Sequence, residues 1–182
     1  MHAYLLILSS FLLLDCNTQS NDKIVSEFIQ SYNNKDSLKT FNLLHKDFTE
    51  LWENNTVIPN KTDYTKNYAW GKVMNDLEEI KIVKTDSNFV ETISTYYSDR
   101  DKILGINPYK SKRTYEIKHG KIIQIVGGEF DEYKEYDEPR REQYQVFFDW
   151  LSKNYNLEAS DFPFDKNGAE KLKKILIEYK KN

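Results

Sequence analysis

The sequence predicts an α+β fold, with helices at both ends and strands between them. Residues 21–32 carry apolar side chains at helical spacing behind an Asn21 or Asp22 cap, which predicts an amphipathic helix. Four consecutive segments are rich in β-branched and aromatic residues and predict strands: residues 80–84, 89–98, 112–118 and 121–126. Because His119-Gly120 is suited to a two-residue turn between the last two, we expect an antiparallel meander.

Three further elements are predicted between the first helix and the meander. A short helix follows a cap near Asp36, and residues 47–53 have the composition of a strand. Residues 54–63 are polar and contain a proline, which predicts a loop. Helical spacing resumes at Tyr64 and predicts a third helix, which Gly71 interrupts.

The C-terminal third is predicted to be a helical extension outside the compact core. Residues 129–138 form an acidic run that lacks the spacing and the central glycine of a calcium loop, so we expect a solvated linker. Apolar residues at helical spacing between Tyr144 and Leu151 predict one helix, and residues 169–179 predict a final one.

Composition excludes several classes of function. Of the 182 residues, 39% are hydrophobic and 30% charged, which indicates a folded body, and the net charge of −3 provides no basic surface for nucleic acid. The single cysteine allows no internal disulfide. Since His2, His45 and His119 are far apart, no metal site is predicted, and no cofactor is implied.

The only cysteine, Cys16, follows an uncharged apolar run that extends from Tyr4 to Leu14 and precedes a polar stretch. At about 1.5 Å per residue the run covers only half of a bilayer core, so it is too short to span a membrane. The segment resembles a bacterial lipoprotein signal, with residues 1–15 as signal peptide, Cys16 as the lipidated residue and residues 16–21 as a tether. This resemblance implies an exported protein anchored in the cell envelope. The alternatives are an uncleaved export signal, or a buried N-terminal helix or strand with an ordinary core cysteine.

Residues 22–126 resemble the NTF2-like superfamily in the order and spacing of their elements. The segments "EFIQSYNNKD" and "LLHKDF" are similar to its opening helices and first strand, and "LGINPYKSKRTYEIKHGKIIQI" is similar to the penultimate hairpin of SnoaL-like members. The resemblance implies an NTF2-like (cystatin-like) cone over residues 22–128, in which a curved antiparallel sheet closes over the N-terminal helices around one apolar pocket. Residues 129–182 would be the C-terminal helical extension.

Comparison with ketosteroid isomerase tests whether this chain has the catalytic groups of that family. The position of the oxyanion-binding tyrosine falls on Phe28, that of the general base on Trp52, and that of the neutral carboxylic acid on Arg113. Phe28 cannot donate a hydrogen bond and Trp52 cannot accept a proton. Arg113 is always charged, so it could hold an anion but could not act as a base. A slip of one residue would bring Glu53 to the base position, but it would also expose Trp52.

Strand alternation predicts which side chains line the pocket. If Glu91 and Arg113 both face inward, they form an opposite-charge pair in a cavity lined by Trp52, Tyr115 and Trp70. Alternatively, the charged pair is structural or lies at the sheet edge in water, and the two tryptophans belong to the core.

Two functions are compatible with these observations. The first is a lipid-anchored, non-catalytic module that holds a small hydrophobic ligand or docks an envelope protein in its cone, with a homodimer as a further possibility. The second is a SnoaL-like, cofactor-independent isomerase, cyclase or dehydratase with Glu91 or Glu53 as base.

Overall fold

The computed structural model describes residues 19–129 and 133–181. The helices of this part of the chain are α1 (Asn21–Asn33), α2 (Ser37–Asn42), α3 (Lys61–Val73), α4 (Asp99–Ile103), α5 (Tyr133–Tyr155) and α6 (Lys166–Tyr179), with a 3-10 turn at Ala159–Asp161. The strands are β1 (Leu44–Trp52), β2 (Asn55–Ile58), β3 (Leu77–Thr85), β4 (Phe89–Tyr97), β5 (Tyr109–Lys118) and β6 (Lys121–Gly128). The predicted α+β class is confirmed.

All six strands form one curved sheet in the order β2-β1-β6-β5-β4-β3. The predicted meander from β3 to β6 is antiparallel, and its last turn has positive φ at both His119 and Gly120, as a tight hairpin requires. The sheet is mixed because β1 pairs in parallel with β6.

The loop predicted at residues 54–63 is wrong in its first half, where β2 forms. Trp52 pairs with Asn55, so the chain reverses within two residues, and Glu53 adopts a positive φ of 52° in that turn. A polar segment gives no apolar alternation to indicate a strand, and the pairing with β1 decides its conformation.

The main core lies between the concave face of the sheet and helices α1 and α3. Its fully buried side chains include Phe48 on β1 and Tyr115 on β5. Asp36 caps α2 as predicted, accepting a hydrogen bond from the backbone N–H of Lys39 at 3.0 Å.

Gly71 does not interrupt α3, which continues to Val73. A methyl group at this position would lie 2.7 Å from the hydroxyl oxygen of Tyr32 and 3.0 Å from Oδ2 of Asp76. The glycine therefore allows α3 to approach these two side chains closely.

The C-terminal residues build a second core on α3. Phe147 and Leu151 of α5 and Leu176 of α6 are buried there together with Trp70 of α3. The predicted solvated linker is wrong from Tyr133 onward, because α5 starts at this residue and buries its side chain.

The apolar run that ends at Leu14, Cys16 and the predicted signal peptide lie outside the described residues. Within the described ranges, no helix is both long and apolar enough to cross a membrane.

Candidate functional site

A cavity of about 620 Å³ opens inside the curved sheet. Its walls come from α1, α3, all six strands of the sheet, and residues of α4 and the C-terminal segment. Val57 and Phe164, both more than half exposed, lie at its edge, and the ring of Phe164 packs on that of Trp70 with the centroids 4.8 Å apart.

The inward face of β4 is opposite to the one predicted. Thr92 pairs directly with Arg113 across β4 and β5, so these two residues share a face of the sheet. Glu91 therefore points to the other face, where it lies 3.5 Å from the ammonium of Lys112. The expected Glu91–Arg113 pair is wrong, because apolar residues occur on both faces of β4 and could not indicate its inner one.

The other predicted site residues are placed as follows. Trp52, Trp70 and Arg113 line the cavity, whereas Tyr115 is fully buried in the main core. Glu53 lies in the exposed turn after β1 and does not line the cavity.

Trp52 is held against the sheet by the absence of a side chain at Gly127. A methyl group there would lie 2.8 Å from Cε3 of the indole, so only glycine lets the ring lie on β6. The indole also packs against Tyr109 and Tyr133, with centroid distances of 6.3 and 5.8 Å. This contact joins the start of α5 to the cavity wall.

Glu50, Glu78 and Arg113 form a carboxylate–arginine cluster in the cavity wall. Nη1 of Arg113 lies 3.5 Å from Oε1 of Glu50, and its Nε lies 3.6 Å from Oε1 of Glu78. Burial by itself would lower the pKa of Arg113, but Glu78 and Glu50 outweigh it and raise the pKa above its ordinary value. Burial raises the pKa of Glu50, and the charge of Arg113 opposes this only in part.

Glu78 is fixed in place by neutral donors as well. Ser94 and Tyr115 donate hydrogen bonds from their hydroxyl groups to Oε1 of Glu78, at 2.6 and 3.2 Å. Oε1 of Glu78 therefore contacts three protein groups, those of Ser94, Tyr115 and Arg113.

Asp76 is a further acidic group on the cavity wall, just after the end of α3. Burial raises the pKa of its carboxyl to about 6, although a hydrogen bond from Tyr96 and the charges of Arg100 and Lys35 act in the opposite direction. Among the described residues, Oδ1 of Asp76 has no hydrogen-bond partner. A carboxyl in this state exchanges its proton near neutral pH.

Arg100 of α4 and Arg140 of α5 form an arginine pair around the buried carboxylate of Asp101. Nε of Arg100 and Nη2 of Arg140 each lie 3.4 Å from an oxygen of Asp101. The ring of Tyr144 contacts both guanidinium groups, and its centroid lies 5.2 Å from Cζ of Arg100 and 5.1 Å from Cζ of Arg140. Both arginines also line the cavity.

Seven charged residues that line the cavity were not predicted from the sequence: Glu50, Asp63, Lys66, Asp76, Glu78, Arg100 and Arg140. Alternation along β1 could have indicated Glu50, because it is two residues before Trp52 on the same face. Nothing in the local pattern indicates the arginine pair, since its two members are 40 residues apart and meet only through the packing of α5.

The three positions that correspond to the catalytic groups of ketosteroid isomerase, Phe28, Trp52 and Arg113, all line the cavity. Their side chains provide aromatic surface and a fixed positive charge. None of them can accept a proton from a substrate.

The described residues contain no group of three or more His, Cys, Asp or Glu side chains that could hold a metal ion.

Comparison with solved structures identifies the fold. The chain is similar to an uncharacterized cystatin-fold protein from Novosphingobium aromaticivorans, with a TM-score of 0.52 and 16% identity, covering 60% of this chain and 97% of that one. An NTF2-like protein of unknown function from Cytophaga hutchinsonii gives a TM-score of 0.49 and 17% identity over 60% of this chain and 90% of its own. A computationally designed 17-OHP binder gives 0.49 and 12% identity, with 64% and 95% covered.

The first of these structures, whose TM-score is above 0.5, shows that the protein has a cystatin-type fold. This agrees with the NTF2-like (cystatin-like) cone that the sequence resemblance implied. No protein-family model matches the sequence, and neither does any curated protein.

Proposed function

We propose that the protein binds one small, largely apolar molecule inside its cone and does so as a lipid-anchored component of the bacterial cell envelope. The observation that carries the binding function is the cavity of about 620 Å³. Cavities of roughly 300–1,000 Å³ hold drug-sized ligands when they combine apolar walls with a few convergent polar groups.

The walls of the cavity combine apolar surface with a few polar groups. Phe28, Trp52 and Tyr64 provide aromatic surface, and the charged groups are concentrated in the carboxylate–arginine cluster and the arginine pair. Such an arrangement suits a ligand whose apolar body contacts the rings while its polar groups are oriented at defined points.

A fluorescence titration with 1-pyrenebutanol tests this function. We expect saturable binding of one equivalent, and native mass spectrometry of freshly purified protein should show a copurified small molecule. Ser111→Phe places a ring at a buried position on the cavity wall and should abolish pyrenebutanol binding. Ser87→Phe, in the exposed turn before β4, is the matched control and should bind as the parent does. Unchanged binding by a folded Ser111→Phe variant would exclude the cone as the binding site.

The proposed anchor rests on the sequence around Cys16, an apolar run followed by the only cysteine of the chain. Labelling of expressing bacteria with an alkyne fatty acid should mark the protein, and Cys16→Ser should remove the label and release the protein from the membrane fraction. Recovery of unmodified protein that retains residues 1–15 would contradict the anchor.

Two further expectations concern partners. Docking of an envelope protein in the cone and formation of a homodimer remain predictions. Size-exclusion chromatography of residues 17–182 tests the homodimer.

A SnoaL-like, cofactor-independent isomerase, cyclase or dehydratase is the second candidate, and Asp76 is the observation in its favour. With a pKa of about 6 and a place on the cavity wall, Asp76 is better suited to be the base than Glu91 or Glu53. If the copurified molecule is converted by the parent protein and not by Asp76→Asn, the protein is an enzyme. Recovery of the molecule unchanged from the parent supports binding alone.

A further inference from the structure

We propose that the molecule held in the cone carries a carboxylate, and that Arg100 and Arg140 bind this group. The inference rests on the proposed binding function and adds the chemical class of the ligand.

The arginine pair has more hydrogen-bond donors than the protein uses. Two guanidinium groups bring ten N–H bonds, whereas the ion pairs to Asp101 engage Nε of Arg100 and Nη2 of Arg140, both at the long distance of 3.4 Å. Within the part of the chain that the structure describes, Nε of Arg140 is buried and has no hydrogen-bond partner. An unsatisfied buried donor costs about 1–3 kcal/mol, so an added acceptor at this point is favoured.

The guanidinium groups are also held in position before a ligand arrives. Arg140 lies over the ring of Tyr109 at 4.8 Å, and both arginines lie against Tyr144. The hydroxyl of Tyr144 donates a hydrogen bond to Asp101, which fixes the ring against both arginines. Rigid, stacked guanidinium groups lose little entropy when they bind a planar carboxylate.

The charge balance selects the arginine pair over Arg113. Arg113 already lies between the carboxylates of Glu50 and Glu78, so an anion approaching it would meet excess negative charge. At the arginine pair, Asp101 neutralises only one of two positive charges. Asp76 is the other acid near Arg100, and its proton is gained or lost near neutral pH.

The arginine pair and Asp101 together can balance a single negative charge on the ligand. With Asp76 protonated, the pair and Asp101 carry a net charge of +1, which one carboxylate neutralises. The neighbouring cavity wall provides aromatic surface from Trp52 and Tyr109 for the rest of the molecule. The ligand class is therefore an apolar monocarboxylic acid.

Two pairs of probes test this class and distinguish a planar ring system from an alkyl chain. Binding of 1-pyrenebutyrate to the parent protein is compared with binding of 1-pyrenebutanol at pH 5.5, where Asp76 is mostly protonated. Dodecanoate and dodecanol are compared at the same pH as competitors of the two pyrene compounds. We expect each acid to bind about tenfold more tightly than its alcohol. The tighter of the two acids identifies the shape of the apolar body.

Substitution of each arginine tests whether the preference for the acid over the alcohol comes from the arginine pair. Arg140→Met keeps the volume of the side chain and should weaken pyrenebutyrate binding about tenfold while leaving pyrenebutanol binding unchanged. Arg100→Met should have the same effect. Arg141→Met is the matched control, because Arg141 is the adjacent residue on α5, is mostly exposed and pairs with Asp137. It should retain the preference for the acid.

The outcomes separate the two proposals. If neither pyrene compound binds, the binding function itself is wrong. If both bind equally well to the parent protein, the binding function holds and the carboxylate inference is overturned, whatever the folding of the variants. Equal weakening of both compounds by Arg140→Met would also overturn it, since the arginine would then act on the shape of the cavity.

Discussion

The guanidinium of Arg140 lies 3.4 Å from the carboxylate of Asp101, whose residue is only 2% exposed. Arg140 belongs to α5 and Asp101 to α4, so this ion pair connects α5 to the wall of the cone. It also makes a residue from the C-terminal third of the chain part of the cavity.

Loss of Asp101 should destabilise the protein strongly. Asp101→Ala leaves Arg100 and Arg140 without their shared acceptor, and breaking a buried ion pair costs about 3–5 kcal/mol. Asp47→Ala, which removes an exposed carboxylate near Lys46, should cost no more than about 1 kcal/mol. Urea unfolding followed by circular dichroism measures both values. Similar values for the two variants would mean that Asp101 has no structural role.

An added methyl group at Gly71 should also destabilise the fold. Gly71→Ala forces Tyr32 or Asp76 to move, and overpacking of this kind costs about 1–3 kcal/mol. Gly128→Ala is the control, because a methyl group there meets no atom within 4 Å. A lower thermal midpoint for Gly71→Ala alone is the expected result, and equal midpoints would contradict the close approach of α3.

Asp76 should make stability depend on pH. Its native pKa of about 6 is above the ordinary value of 3.8, so the folded state binds more protons between these values. The stabilisation is complete below about pH 4 and is lost as the pH rises through about 6, a difference of roughly 3 kcal/mol.

The comparison with Asp76→Asn isolates this effect, because asparagine remains neutral at every pH. The variant should be the more stable protein at pH 7.5 and should match the parent near pH 4, in urea unfolding measured at both pH values. A constant difference across this range would show that Asp76 does not titrate as described. Asp47→Asn, at an exposed position, is the control.

Binding of pyrenebutyrate should strengthen as the pH falls from about 8 to about 5.5, where the probe itself stays ionised. Asp76 is faced by Arg100 and Asp101 of α4, by Lys35 and Tyr32 from the α1 side and by Tyr96 of β4. Its protonation removes a negative charge near the bound carboxylate and should raise the affinity roughly fivefold. Pyrenebutanol should show no such dependence. Asp76→Asn should bind pyrenebutyrate at every pH with the affinity that the parent reaches near pH 5.5. A pH dependence that persists in Asp76→Asn would assign it to another group.

Local pattern was sufficient to predict the elements whose conformation depends on their own residues. Helix α1 has a strong apolar stripe, and the turn at His119-Gly120 has the residues that a tight hairpin requires. The strand β2 and the start of α5 were not predicted, because their sequences are polar and their conformations depend on pairing with β1 and on packing against the cavity wall.

The same distinction applies to the candidate site. Trp52, Trp70 and Arg113 could be proposed from the resemblance and from alternation, and they line the cavity. The sequence did not indicate which face of β4 points into the cavity, because apolar residues occupy both of its faces. The pairing of Thr92 with Arg113 decides which face it is. The arginine pair was not foreseeable, since ion pairing across α4 and α5 leaves no local periodicity.

The amino-acid sequence was enough to predict the α+β class, the order of the main elements and the cone, because each depends on composition, periodicity or motif. The interpretation of Cys16 as an anchor stays a prediction. The chemistry of the cavity depends on contacts between residues that are distant along the chain. Packing of α5 brings Arg140 to Asp101, and burial at the end of α3 raises the pKa of Asp76. Charge and protonation at this site are properties of the assembled surroundings, which only the folded arrangement of helices and sheet creates.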